Sequence, residues 1–305
     1  MGDVITSADI ANFLNKPLIG NEIQITKVSS LNNLKNYSLS FINKLCINEN
    51  TDMNVLYLVP MDKEIDRKSK ASYIKVKNPR LSFAKAVTEF FSKKFTEVIE
   101  TSACIGTNVE IGKKVYIGKC SVIGDDVIIG NNTIIGDNTT IHHGTKIGEY
   151  CHIKSGVVIG EDGFGFDFEA DGTPIKLPHI GNVRIGNHVE IGANSCIARG
   201  TLDNTTIGDC VKIDALVHVA HNCNVSNNTI ITACAEISGS VIIGSDCWIG
   251  PNSSIIQKVT IGNNVVIGIG SIVTKDIPSK AKIMGFRGLE LKKLIKLQKR
   301  IGFGE

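Results

Sequence analysis

The stretch Ile105-Gly106-Thr107-Asn108-Val109-Glu110-Ile111-Gly112-Lys113-Lys114-Val115-Tyr116-Ile117-Gly118 decides the fold. From Ile105 to Ile159 an isoleucine recurs every six residues, glycine usually follows it, and the fourth residue after it is small or β-branched, as in Val109, Ser121 and Thr133. The phase resumes at Ile185, Ile191 and Ile197, slips by four residues at 201–204, and runs on from Ile207 to Val273, giving 25 hexapeptides. Six is not a multiple of the helical 3.6. A short strand and a tight turn per hexapeptide instead bring one Ile inward at each pass, with Gly expected to supply the unusual backbone angles at the corners. Three faces per coil make a parallel β-helix in which residues eighteen apart stack at about 4.8 Å, the ordinary strand spacing.

The flanks read differently. Residues 1–100 predict a small α/β domain. Ser7 caps a helix over 8–14, residues 55–59 form a buried strand ended by Pro60, and 73–76 form another. After Lys77-Asn78-Pro79, the set Phe83, Ala86, Val87, Phe90 and Phe91 follows the spacing of an amphipathic helix. Within the β-helix of 101–280, residues 161–182 break the period and predict a protruding hairpin turned at Asp171-Gly172. The coil is expected to end near Pro278. In the tail, 281–305, a helix over 289–300 carries Lys292, Lys293, Lys296, Lys299 and Arg300 on its polar surface.

Composition narrows the function classes. Lys+Arg 33 against Asp+Glu 30 leaves a net charge of +3, too balanced to indicate a nucleic-acid binder. No run approaches the roughly 18 apolar residues of a membrane span, and the first residues lack a signal-peptide layout, so a soluble, cytoplasmic chain is expected. The nine cysteines contain no C-x-x-C pair, which argues against a disulfide framework or a zinc site and leaves most of them as small buried hydrophobes.

One stretch concentrates titratable groups: Asp214-Ala215-Leu216-Val217-His218-Val219-Ala220-His221-Asn222. The stacking period sets Gly239 beside His221 on the next coil, and Gln257 with Lys258 one coil further. An imidazole base next to a backbone N–H that no side chain obstructs suits acyl transfer. The other five histidines fit ordinary turn or surface positions. A metal site shared across a subunit seam through His218 and His221, or a catalytically silent stack, fits the same spacing.

Further motifs give the pattern a family likeness. Asp162-Gly163-Phe164-Gly165-Phe166, Lys176-Leu177-Pro178-His179-Ile180-Gly181, Arg199-Gly200-Thr201-Leu202-Asp203-Asn204, Ala220-His221-Asn222 and Ser238-Gly239-Ser240 occur in the order seen in the UDP-3-O-acylglucosamine N-acyltransferase family, which the chain resembles over about residues 20 to 300. The resemblance implies a left-handed β-helix, a homotrimer with sites between subunits, and no cofactor or metal. It implies transfer of a 3-hydroxyacyl chain from acyl carrier protein to the 2-amino group of UDP-3-O-(3-hydroxyacyl)-glucosamine in lipid A synthesis. Carried over by motif, His221 is the general base, Asp214 orients it, and the Gly239 N–H stabilises the thioester oxyanion. Asn222, His218, Lys258, Phe164 and Gly165 line the substrate pocket, with Lys258 standing where the family has a second histidine. Phe41 matches the aromatic residue that stacks on uracil. Lys275, Lys292, Lys293, Lys296 and Arg300 match the basic region that docks the acidic carrier protein. A related sugar acyl- or acetyltransferase with another acceptor or an acyl-CoA donor is the alternative within the same fold.

Overall fold

The computed structural model describes residues 4–43, 52–65, 70–285, 292, 293 and 296. The chain divides into two units, Met1–Lys94 and Phe95–Glu305.

In the first unit, alternating apolar runs build a five-stranded sheet in the order Leu18–Ile19, Ser72–Val76, Val55–Pro60, Ser38–Phe41, Lys27–Val28. Only the pairing of Leu18–Ile19 is antiparallel. Alternate side chains fill two cores: Leu39, Leu56, Leu58 and Ile74 pack with Ile10 and Ala86 of the helices Ser7–Phe13 and Pro79–Phe90, while Val55, Tyr57 and Tyr73 fill the other. The first helix begins one residue before the expected start. Its cap is Thr6, whose hydroxyl accepts the Asp9 N–H while Asp9 returns a bond to the Thr6 N–H. Ser7 lies inside the helix, buried, its Oγ accepting from the Ile23 N–H at 3.0 Å. Asn78 caps the second helix by accepting from the Leu81 N–H, and Pro79 takes the first position, where its missing N–H costs nothing.

The second unit is a left-handed parallel β-helix whose faces are sheets of ten, nine and eight short strands. Pairing confirms the eighteen-residue step: Val122 opposes both Cys104 and Thr140, and His218 opposes Glu236. The repeating Ile and Val residues form one continuous column, buried from Ile117 to Val273. The coil is longer than the Ile-Gly motif shows, because Val98–Ile99 pairs with Tyr116–Ile117 at one end and Lys282–Ile283 with Val266–Ile267 beyond Pro278 at the other.

The corners correct one expectation. In the regular coils the left-handed backbone angle falls on the third residue after the inward Ile, whatever its side chain: Asn108, Lys114, Cys120 and Asp126 all have φ between +54° and +58°. The glycine directly after the Ile serves close approach instead. A Cβ at Gly124 would lie 2.6 Å from the backbone nitrogen of His143 in the next coil, nearer than neighbouring strands permit. Hydroxyl side chains at the fourth position are buried and mostly satisfied, as where Ser121 and Thr133 donate to the carbonyls of Gly136 and Gly148, whereas the buried Thr145 hydroxyl finds no partner among the described residues. The cysteines divide: Cys151, Cys223 and Cys247 occupy these inward positions, whereas Cys104, Cys120, Cys210 and Cys234 are exposed, since strand and corner positions tolerate a thiol as readily as the core does.

Two irregularities shape the site. The four-residue slip is absorbed as a bulge at one corner, so Ile197 opposes Val219 at a separation of twenty-two. The interruption at 161–182 rises as a hairpin, Phe166–Phe168 against Pro174–Lys176, turned at Asp171-Gly172 with Gly172 at φ +87°.

Candidate active site

His221 follows Val219, the inward residue of the strand His218–Val219, so the β-helix presents it at a corner rather than on a flat face. Asn222 beside it takes the left-handed conformation, φ +61°, and its side chain turns back onto the coil. Its Oδ1 receives the Thr201 N–H at 3.1 Å and the Thr201 hydroxyl at 2.8 Å, and it lies 3.0 Å from His221 Nδ1. A backbone N–H can only donate, so the receiving atom is the amide oxygen. His221 Nδ1 therefore carries the proton, and Nε2 keeps its lone pair. The slip at 201–204 thus has a chemical consequence: it delivers Thr201 to the side chain that sets the tautomer.

Two glycines enclose the imidazole. A Cβ at Gly239 would lie 2.7 Å from both Cε1 and Nε2 of His221, and a Cβ at Gly163 would lie 2.8 Å from His221 Cβ and Cδ2. Only residues without side chains fit on either side. Gly239 differs from the same position of other coils in a second way. The N–H two residues after the inward Ile is taken by an Asp or Asn side chain of the next coil at Lys113, Lys119 and Ser245, each at 2.8 Å. The residue eighteen beyond Gly239 is Gln257, and among the described residues nothing accepts the Gly239 N–H.

The hairpin closes over this corner. Asp162 and Lys176 pair across its base at 2.8 Å, holding the Asp162 carboxyl below its ordinary value through that bond, and the Leu177 N–H donates to the Gly165 carbonyl. Arg199, only 2% exposed, pins the take-off point: Nε donates to the Gly160 carbonyl at 2.6 Å, Nη1 to His143 Nε2 at 2.9 Å, and Nη2 to the His143 carbonyl. His179, buried under the same hairpin, meets His221 at an angle of 73° with ring centroids 5.0 Å apart. Sequence reasoning grouped His179 with the ordinary turn histidines. The available signal was the pair of glycines at 163 and 165, whose spacing makes room for its ring.

The remaining expected site residues are dispersed. Asp214 does not hydrogen-bond to His221 within the chain: its carboxylate accepts the N–H of Ala215, and the six residues between them carry the chain from one corner to the next. Asn222 takes the orienting part. His218 is exposed on the outer face of its strand, between Cys196 and Glu236. Lys258, at φ +63°, stacks on Gly239 through its N–H to the glycine carbonyl at 2.9 Å. Phe164 is 87% exposed at the hairpin, 4.9 Å from Phe166, while Gly165 faces inward to His179. Phe41, in the first unit, is half-buried with its ring 4.8 Å from Phe83. Lys275, Lys292, Lys293 and Lys296 are exposed, the last three in helical backbone; Arg300 lies outside the described residues. Among the described residues no three His, Cys, Asp or Glu side chains converge as metal ligands, and no helix is long and apolar enough to cross a membrane.

Comparison with known proteins places this geometry. Residues 126–161 and 240–275 match the model of the bacterial transferase hexapeptide (six repeats). UDP-3-O-acylglucosamine N-acyltransferase 2 of Legionella pneumophila (strain Lens) is 56% identical over 79 residues, 26% of this chain and 23% of the relative. The UDP-3-O-acylglucosamine N-acyltransferase of Dechloromonas aromatica (strain RCB) is 59% identical over 75 residues, 25% of this chain and 21% of the relative. The chain thus spans less than a quarter of the length of these curated relatives in its matches. A crystal structure of a UDP-N-acetylglucosamine acyltransferase from Bacteroides fragilis superimposes with a TM-score of 0.55 at 28% identity, covering 67% of this chain and 78% of the other. Two stretches of the chain therefore match the hexapeptide family model, and the curated relatives that it resembles over about a quarter of its length are named UDP-3-O-acylglucosamine N-acyltransferases.

Proposed function

We propose that the protein is an N-acyltransferase of lipid A synthesis, moving a 3-hydroxyacyl chain from acyl carrier protein to the 2-amino group of UDP-3-O-(3-hydroxyacyl)-glucosamine. The observation that carries this reading is the His221 corner: an imidazole with its proton on Nδ1 and its Nε2 lone pair beside Gly239, whose backbone N–H has no acceptor among the described residues. An amine attacking a thioester loses a proton as the C–N bond forms, and the carbonyl oxygen gains charge. His221 Nε2 takes the proton, and the Gly239 N–H stabilises the oxyanion. Collapse of the tetrahedral intermediate breaks the C–S bond, and the leaving thiolate takes the proton from His221. Such a base contributes about 10² to 10⁴-fold and such a donor about 10² to 10³-fold. Asn222 holds the tautomer, and no covalent enzyme intermediate is required.

The same reading assigns Phe41 to the uracil ring, Phe164, Gly165, His218 and Lys258 to the substrate pocket, and the exposed lysines at 275, 292, 293 and 296, with Arg300, to the acidic carrier protein. It makes the working protein a homotrimer in the cytoplasm. The likeness to the Bacteroides fragilis UDP-N-acetylglucosamine acyltransferase supports a second acceptor, UDP-N-acetylglucosamine. A transfer assay with both acceptors, each with acyl carrier protein and acyl-CoA donors, separates them. Acylation of the amine from carrier protein is the expected outcome. Acylation of UDP-N-acetylglucosamine alone overturns the acceptor, and preference for acyl-CoA overturns the donor.

A further inference from the structure

His179 has a role that the transfer chemistry alone does not require. Its ring is 5% exposed, lodged where a Cβ at Gly163 would lie 2.6 Å from Nε2 and a Cβ at Gly165 would lie 3.1 Å from Cε1. The two glycines of the Asp162-Gly163-Phe164-Gly165-Phe166 motif therefore cradle an imidazole. Nδ1 lies 2.9 Å from the Leu177 carbonyl, which can only accept, so Nδ1 holds the proton and Nε2 presents a lone pair. That lone pair is buried and has no partner among the described residues. A buried acceptor without a partner loses its hydration with nothing in return, so its retention calls for a reason.

We propose that His179 is a positioning residue for His221, a neutral imidazole wedged under the hairpin that holds Gly163 against the His221 ring and so fixes the direction of the His221 Nε2 lone pair. The inference rests on the reading of His221 as the base. His179 touches the hairpin on one side and the base on the other, so hairpin docking and base orientation are one packing event. A second observation agrees. Burial, and then the proximity of His221 and Lys176, hold the His179 imidazole below its ordinary value against the opposing pull of the Leu177 carbonyl and Asp162.

The test uses the full chain with ¹⁵N-labelled histidine, the His179 and His221 signals being assigned from His179→Gln and His221→Gln. The expected result is a His179 ring that titrates below about 6.5, keeps its proton on Nδ1 when neutral, and titrates higher in His221→Gln. His179→Phe, which keeps a flat ring without the lone pair, is expected to shift the His221 ring signals and to lower kcat about tenfold to a hundredfold with KM within about twofold, because a small misplacement of a base is costly in rate. His179→Gln, which retains a neutral acceptor, is expected to recover part of that loss. A His179 that titrates at or above the ordinary value, or a folded His179→Phe with unchanged His221 signals and kcat, overturns the proposal. Absence of transfer by the wild type with every acceptor and donor would instead defeat the proposed function, and the titration would still decide the His179–His221 coupling.

Discussion

Two corners of the same β-helix show how a repeat becomes a site. At Lys119 the coil is closed on itself: the N–H is capped by Asp137, and the glycine before it packs against the next coil. At Gly239 the equivalent cap is missing among the described residues, and a side chain there would meet the His221 ring. The wall is equally regular in both places, with the same inward column and the same eighteen-residue register. The two corners differ by one cap removed and one imidazole added, with no change to the scaffold that positions them.

That contrast makes glycine substitutions informative. Gly239→Ala places a methyl 2.7 Å from His221 Nε2, so the imidazole must turn away. We expect about a hundredfold loss in kcat/KM with unaltered unfolding in denaturant, since the obstacle is a side chain. Gly124→Ala, whose methyl would meet the His143 backbone at 2.6 Å, reverses the pattern. It should cost about 1 to 3 kcal/mol of stability in a urea titration and leave the rate per folded molecule within about twofold. If both variants behave alike, the two corners are not different in kind.

Smaller effects sharpen the picture. Asn222→Ala frees His221 Nδ1 and strands the Thr201 N–H, and should lower kcat about tenfold through the wrong tautomer. For pH, His179 and His152 are both held below the ordinary histidine value, first by burial, so the unfolded chain binds more protons than the folded one below about 6.5. Stability should therefore fall as pH drops through that window, and His179→Phe should reduce the dependence while His152 maintains the rest. Urea midpoints at pH 7.5 and pH 5.5 for both proteins measure it, and identical slopes would remove His179 from the account. In alkylation, Cys120, Cys210 and Cys234 should react readily, whereas Cys223, whose thiol burial pushes up to about 12, should react only on unfolding.

The legibility of the chain follows the strength of its periodicity. The six-residue Ile period made the parallel β-helix, its register and the approach of Gly239 to His221 readable, because each coil repeats the same steric demand. The hand of the helix came from likeness to a family, since short strands and turns leave it open. Corner geometry was misread because glycine suggested an unusual dihedral where the structure uses it for clearance, as at Gly124. Asp214 forms no hydrogen bond with His221 within the chain, because nearness in sequence crosses a corner, and the bond of Asn222 to the His221 ring was not legible because its geometry depends on Thr201, which reaches it through the slip at 201–204. His179 was legible only through the glycine pair at 163 and 165, since its contact with His221 spans forty-two residues and depends on the path of an inserted hairpin.

The central claim is that His221 is the base. Its most direct test is the rate of acyl transfer by His221→Ala beside the wild type, with folding followed by circular dichroism and urea titration. The account predicts at least about a hundredfold loss in kcat at an unchanged unfolding midpoint. A folded His221→Ala protein that transfers the acyl chain within a few-fold of the wild-type rate would contradict it.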